Sequence, residues 1–293
     1  MKKVVVIVGP TGSGKTRLSI ELAKRFGLEI INGDSVQVYE ELSIGSARIR
    51  PEDMEGVPHH LLGHVPVDRP YSVYHFQREA RAIIERVERP AIVGGTGLYI
   101  KAALFDYSFR NGGRDPEFER RYAHLEDEDL YRMLLNKDPR ATVNPHNRRR
   151  VLRALERVLN GASSSTGYGK NDPLYDILTI YLDLDRTVLE THLRRRLDQQ
   201  LADGFLEEVR RLRARNITID AIGYREINRY LDGSYTLEEA KEAIITASKR
   251  LAKKQKTWFK HQMETEAFDA MSPTLVSDVA KRLESFYESE EGI

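Results

Sequence analysis

The chain has 293 residues, with 46 Lys and Arg set against 45 Asp and Glu, and no cysteine. That length can bury a large core and suits one big domain or a main domain with an insert, while the lack of cysteine excludes disulfides and thiolate metal sites. A net charge of +1 means that any polyanionic partner must be held by local clusters of Lys and Arg, and no apolar run is long enough for a membrane span or a signal-peptide core, so cytoplasm is the expected location.

In chain order, the β-branched run Val4-Val5-Val6-Ile7-Val8 predicts a buried strand and leads directly into Gly9-Pro10-Thr11-Gly12-Ser13-Gly14-Lys15-Thr16. This is the GxxxxGK[ST] pattern of a phosphate-binding loop. Its glycines let backbone N–H groups wrap an anion, Lys15 brings a point charge to the terminal phosphate, and the Thr16 hydroxyl is placed for Mg2+. Leu18, Leu22 and Phe26 at helical spacing predict a helix over Arg17 to Arg25, stopped by Gly27, whose N-terminus faces the same anion. Strand, loop and helix together point to an α/β fold, a P-loop NTPase-like parallel sheet flanked by helices.

Glu29-Ile30-Ile31 reads as a short buried strand that ends in Asn32-Gly33-Asp34-Ser35. Ligands of open parallel sheets sit off the carboxyl ends of the strands, so Asp34 falls beside whatever the loop holds. It is a candidate general base or metal-shell carboxylate; the alternative is a helix N-cap or Asx turn. Residues 36 to 75 are irregular and rich in polar and aromatic side chains, as substrate-carrying loops are. The adjacent His59 and His60 lack the spacing of helical zinc ligands, which favours hydrogen bonding. Phe76, Ala80, Ile83, Ile84 and Val87 predict a helix over Val73 to Val87.

Pro90-Ala91-Ile92-Val93 is the next strand and ends in Gly94-Gly95-Thr96-Gly97-Leu98-Tyr99. Most P-loop NTPases place an Asp there to hold Mg2+. Glycines at that end suggest instead a close backbone approach to a ligand. Leu182-Asp183 is a second apolar strand ending in acid, and a weaker rival for that role.

Asn111 to Pro116 and Ser163 to Asn171 carry turn chemistry. Between them Asp115-Pro116, then Leu130, Leu134 and Leu135, then Val151, Leu155, Val158 and Leu159 mark three helices. The expected plan is a P-loop core over 1–115 and 176–293 with a hinged helical insert over 116–175. The sheet resumes at Leu178 to Leu182. The remainder reads as helical, with a break at Gly204 and a loop at Ala221-Ile222-Gly223-Tyr224-Arg225. Arg148, Arg149, Arg150 and Arg153 form a basic cluster in the insert. On a later helix Ile244, Ala247, Leu251 and Trp258 share one face, and Lys249, Lys253, Lys256 and Lys260 gather opposite. That stripe is either a solvated face or a track for a polyanion. Arg194, Arg195, Arg196, Arg210, Arg211 and Arg213 have acids nearby and read as surface.

Taken together, Gly9 to Thr16, Asp34-Ser35-Val36-Gln37-Val38-Tyr39, Gly94 to Tyr99, Arg153-Ala154-Leu155-Glu156, Ala221 to Arg225 and Lys254-Gln255-Lys256-Thr257-Trp258-Phe259 resemble the tRNA dimethylallyltransferases, in that family's order and over almost the whole chain. The resemblance implies transfer of a dimethylallyl group from dimethylallyl diphosphate to N6 of the adenine just 3′ of the anticodon, in tRNAs reading codons that begin with U. It also implies Mg2+, a bacterial cytoplasmic enzyme, a mobile helical insert and Asp34 as the base. Following the family's pattern, Asp34, Ser35, Val36, Gln37, Thr96, Arg149, Arg150, Arg153, Gly223, Tyr224, Arg225, Lys253, Lys254, Lys256 and Lys260 are expected to face the tRNA. A monomer is expected. Ser46-Ala47-Arg48 departs from the Thr-Ala-Lys common in the family.

The residues accommodate this chemistry on their own terms. An allylic diphosphate offers a P-loop much the same anion as the last two phosphates of a nucleotide. The loop amides, Lys15 and Mg2+ near Thr16 would stabilise the departing diphosphate, with the Thr96 hydroxyl near its bridging oxygen. Two rivals are a small-molecule kinase using ATP and a P-loop protein that binds RNA and switches on nucleotide. Neither explains Thr96 at a strand end together with a lysine-striped helix.

Overall fold

In the computed structural model, which describes residues 1–107, 109, 116–161 and 172–289, the opening apolar run is β1 (Lys3–Val8), with β4 (Pro90–Gly94) on one side and β5 (Asp176–Asp183) on the other. The run is unbroken because both faces of the strand are covered. Val4, Val6 and Val8 enter an apolar cluster with Phe76, Ile84, Ile100 and Phe259, whereas Val5 and Ile7 enter another with Leu18, Leu22, Val279 and Leu283. All are fully shielded from solvent. At roughly 1.5–3 kcal/mol for each such side chain, β1 is the strand on which the sheet is built. With β2 (Glu29–Asn32), β3 (His59–His60) and β6 (Glu266–Asp269), the sheet runs β3-β2-β4-β1-β5-β6, and every neighbouring pair is parallel.

The helices follow from spacing and caps. The first, α1 (Lys15–Phe26), ends at Gly27 in the left-handed conformation, φ 66°. Next come α2 (Val73–Arg86), opened by Ser72 and His75 in a capping box, and α3 (Gly97–Leu104). The structure divides into two units, Met1–Phe105 with Pro173–Ile293, and Asp106–Asp172. The smaller unit holds α4 (Pro116–Arg121), α5 (Asp127–Lys137) and α6 (Arg148–Leu159). Leu130, Leu134, Val151, Leu152 and Leu155 form its own apolar core. The turn-rich stretches at 111–115 and 163–171 lie outside the described residues.

Back in the larger unit, α7 (Arg186–Ala202), α8 (Phe205–Ala214), α9 (Tyr224–Leu231) and α10 (Leu237–Gln262) pack together around Leu193, Phe205, Tyr224, Ile227 and Ile244. The final helix, α11 (Leu275–Glu288), covers the face of the sheet opposite α2 and α3. The spacing after β5 predicts helices broken only at Gly204 and at 221–225, but β6 also interrupts them. That strand is four residues long and half-exposed at the sheet edge, too short for a periodic signal. Among the described residues no helix is long and apolar enough to cross a membrane.

Candidate active site

The loop after β1 turns through residues that need positive φ. Gly12 has φ 84° and Gly14, the N-cap of α1, has φ 83°, a region costly to side chains with a Cβ. The Lys15 ammonium folds over its own loop, donating to the carbonyls of Gly9 at 2.9 Å and Pro10 at 2.8 Å. Burial and the neighbouring Arg196 guanidinium push its pKa down to about 8, with Asp34 opposing the shift. A cation so placed gains from an arriving phosphate. His192 Nδ1 lies 2.9 Å from the Gly12 carbonyl and ties the loop to α7.

At the end of β2, Asp34 forms an Asx turn and also stands on the cleft. Its Oδ1 accepts from the N–H of Val36 at 2.8 Å and of Gln37 at 3.4 Å, which is the Asx-turn role, and the residue still lines the cleft with Lys15. Thr96, at the N-cap of α3, accepts from Ser35 N at 3.0 Å and donates to Ser35 Oγ at 3.3 Å. The ends of β2 and β4 are thereby locked together. The glycines between them are there for that approach. A Cβ on Gly94 would fall on the backbone of Gly33, one on Gly95 on the Gln255 amide and one on Gly97 on the Trp258 ring. The run is packed against its own chain, which gives these glycines a structural reason beside the expected approach to ligand, and among Gly94, Gly95 and Gly97 it is Gly94 that lines the cleft.

The cleft has a volume of about 770 Å3 and is lined by Thr11, Gly12, Gly14, Lys15 and Thr16 of the loop, by Asp34, Val36, Gln37, Ser46 and Ala47, by Arg196 of α7, by Gly223 and Arg225, and by Ile244, Ser248, Leu251 and Gln255 of α10. Arg196, taken from sequence as surface, faces this cavity. Its guanidinium donates to the Ser46 carbonyl at 3.0 Å and forms no ion pair among the described residues. Arg194, two positions earlier, points the other way and pairs with Glu190 and Glu242. Only the angular position on α7 separates these two arginines, and sequence spacing gave no reason to prefer either. Leu251 was expected on an apolar packing face but is 39% exposed and forms part of the cleft wall.

Several residues expected to face RNA are committed elsewhere. Tyr224 is buried and donates from its hydroxyl to Glu208 at 2.6 Å. Arg153 pairs with the buried Glu156 at 2.6 Å. Lys256 is held by both carboxylate oxygens of Asp183, at 2.7 and 2.8 Å, and Lys249 by Glu190. Lys253, Lys254 and Lys260 are exposed and form no ion pair among the described residues. In the smaller unit Arg149 and Arg150 are exposed, whereas Arg148 is structural, donating to Asp127 and to the carbonyls of Leu125 and Tyr122. His59 and His60 hydrogen-bond to the Val57 carbonyl and the Glu29 carboxylate.

No group of three or more metal-ligating side chains occurs among the described residues. Mg2+ at a phosphate loop does not require one, since one or two protein oxygens suffice when phosphate and water supply the rest. The exposed Thr16 hydroxyl on the cleft wall fits that pattern, with Asp34 lining the same cavity.

The family described as IPP transferase matches residues 37–262. A tRNA dimethylallyltransferase of Acholeplasma laidlawii is 46% identical, with 98% of this chain and 99% of that protein covered. Among solved structures, the tRNA isopentenylpyrophosphate transferase of Bacillus halodurans is 35% identical with a TM-score of 0.76, covering 99% of this chain and 98% of that one. A eukaryotic dimethylallyltransferase acting on tRNA is 27% identical with a TM-score of 0.82, covering 99% of this chain and 80% of that one. With a phosphate loop, a strand-end aspartate and a cleft joining them, and with relatives this similar over nearly its whole length, the chain belongs to the IPP transferase family.

Proposed function

We propose that this protein transfers a dimethylallyl group to an adenine of tRNA, taking it from dimethylallyl diphosphate and placing it on N6 of the adenine just 3′ of the anticodon, in tRNAs reading codons that begin with U. The observation that carries the reading is the joint lining of one cleft by Lys15, Asp34 and Arg196, an anion cradle after β1 and a carboxylate after β2, with β4 between them.

The diphosphate sits against the loop N–H groups, Lys15 and Arg196. As its bond to the allylic C1 breaks, the electron pair goes to the bridging oxygen, where these cations stabilise the growing charge; the Thr96 hydroxyl joins them by turning from Ser35 Oγ, to which it donates in the free protein. The adenine amine attacks C1, forming the N–C bond, and its proton passes to Asp34. One carboxylate oxygen is fixed by Val36 and Gln37, which orients the other toward the incoming amine. Thr16 would hold Mg2+, whose charge would help neutralise the diphosphate. The adenine must leave its stack to reach the cleft, at a cost of a few kcal/mol that contacts to the anticodon arm offset. Val36, Gln37, Gly223 and Arg225 at the cleft, Lys253, Lys254 and Lys260 on α10, and Arg149 and Arg150 on α6 supply those contacts.

The test is direct. Protein, tRNA, Mg2+ and dimethylallyl diphosphate are incubated together, and the RNA is digested for mass spectrometry. A C5H8 increment on adenosine beside the anticodon is the expected result. Brisk ATP consumption with no prenylated adenosine would favour the kinase reading instead.

A further inference from the structure

The segment from Leu42 to Arg48 wraps around a single buried side chain. Glu208, in the first turn of α8, is 1% exposed. Its Oε2 accepts from Ile44 N at 2.8 Å and from Ser43 N and Oγ, each at 3.1 Å; its Oε1 accepts from Gly45 N at 3.0 Å and the Tyr224 hydroxyl at 2.6 Å. Five donors meet one carboxylate, and no cation pairs with it among the described residues. Three consecutive backbone N–H groups converging on an anion form a nest, and here the anion belongs to the protein itself. The fit is tight: a Cβ on Gly45 would lie 2.6 Å from the Tyr224 hydroxyl.

The outward side of the same segment faces the cleft with its carbonyls. Ser46 O accepts from Arg196 at 3.0 Å and from Gln37 Nε2 at 3.1 Å, while Ile44 O and Gly45 O accept from Gln200 at 2.7 and 2.9 Å. Arg196 is in turn close enough to Lys15 to lower its affinity for a proton. A continuous set of short contacts therefore runs from a carboxylate buried beneath the cleft to the guanidinium at its anion-binding end.

We propose that Glu208 is a positioning residue for the transfer: it folds segment 43–47 about itself so that the Ser46 carbonyl aims Arg196 at the diphosphate. The proposal deepens the function assigned above and rests on it for the identity of the anion. Neither Glu208 nor Tyr224 touches substrate. Replacing the carboxylate by an amide would set an NH2 against two or three of the five donors and release the segment.

The experiment measures KM for dimethylallyl diphosphate, kcat and Tm for wild type, Glu208→Gln, Arg196→Lys and the double variant, together with calorimetric binding of inorganic diphosphate. Glu208→Gln should raise both KM and the diphosphate Kd about tenfold, with tRNA affinity unchanged, because an ionic contact is misaimed rather than deleted from the RNA surface. In the Arg196→Lys background the same change should add little, since both act through one guanidinium. A lower kcat or Tm at unchanged KM and Kd, or full additivity in the double variant, overturns the proposal. Should Glu208→Gln not fold, Tyr224→Phe keeps the carboxylate and removes one donor, so a rise of about threefold in diphosphate Kd supports the idea and no change overturns it. A wild-type protein that binds diphosphate but prenylates no tRNA would refute the assigned reaction, and the Kd comparison would still decide the role of Glu208.

Discussion

Two aspartates stand at the carboxyl ends of parallel strands in this sheet and have opposite fates. Asp34, after β2, has no cation in ion-pair contact among the described residues, has one oxygen fixed by backbone N–H groups, and lines the cleft beside Lys15. Asp183, the last residue of β5, is gripped by both oxygens to Lys256 and also accepts from Leu184 N. It faces a second cavity on the other side of α10. A strand-end carboxylate is therefore not functional by position alone. What matters is whether a neighbouring element neutralises it or leaves it facing a concave space that an anion cradle also lines.

The sharpest way to break this comparison is to remove each carboxylate. Asp34→Ala should lower kcat by about 10²–10⁴-fold while tRNA affinity falls much less, measured by single-turnover transfer and by filter binding. Equal losses in both would make Asp34 a binding residue and erase its contrast with Asp183. Next in size is a pH effect at Lys15, the cation that lines the cleft with Asp34. Burial and Arg196 hold its free-enzyme pKa down to about 8, so the ammonium needed for the diphosphate is present below that pH and lost above it. Donor kcat/KM should fall by about tenfold per pH unit above 8, and Lys15→Arg should abolish that fall while lowering the plateau.

Smaller effects test the other side of α10. Lys253 is exposed and lines the second cavity near the Lys256–Asp183 pair, with no acid of its own among the described residues. Lys253→Ala should make the salt dependence of tRNA binding shallower by about one unit in a log–log plot. An unchanged slope would return that lysine to solvent. Asp183→Asn should have the least effect, with kcat unchanged and stability altered by at most about 1 kcal/mol, because both partners of its ion pair are more than a third exposed. A large loss of turnover there would show that Asp183, not Asp34, is the functional strand-end acid.

The same contrast separates what could be read in advance from what could not. β1, its loop and α1 were legible because an apolar run, a glycine pattern and a helical repeat are local properties that need no partner to be seen. The same holds for α2, with Phe76, Ala80 and Ile84 on one buried stripe. β3 and β6 were not legible, since short, partly exposed edge strands carry neither a period nor the apolar run that marks the equally short but buried β2. Nor were the fates of individual charged and polar side chains. Arg194 and Arg196 differ by two positions on one helix, yet one meets Glu242 and the other the cleft. On α10 no acid stands between Lys249 and Lys260, but Asp183 and Glu190 reach the lysine stripe from β5 and α7.

By itself, then, the sequence determined an α/β chain with a phosphate loop on its first strand, because strand burial, left-handed glycines and helical spacing act over a few residues at a time. Tertiary structure alone decided that Tyr224 lies inside against Glu208, that Gly94 stands against Gly33, and that Arg196 joins Lys15 at the cleft. These depend on groups brought together from distant parts of the chain, and a buried charge or a missing Cβ acquires its meaning only from the neighbour it is folded against.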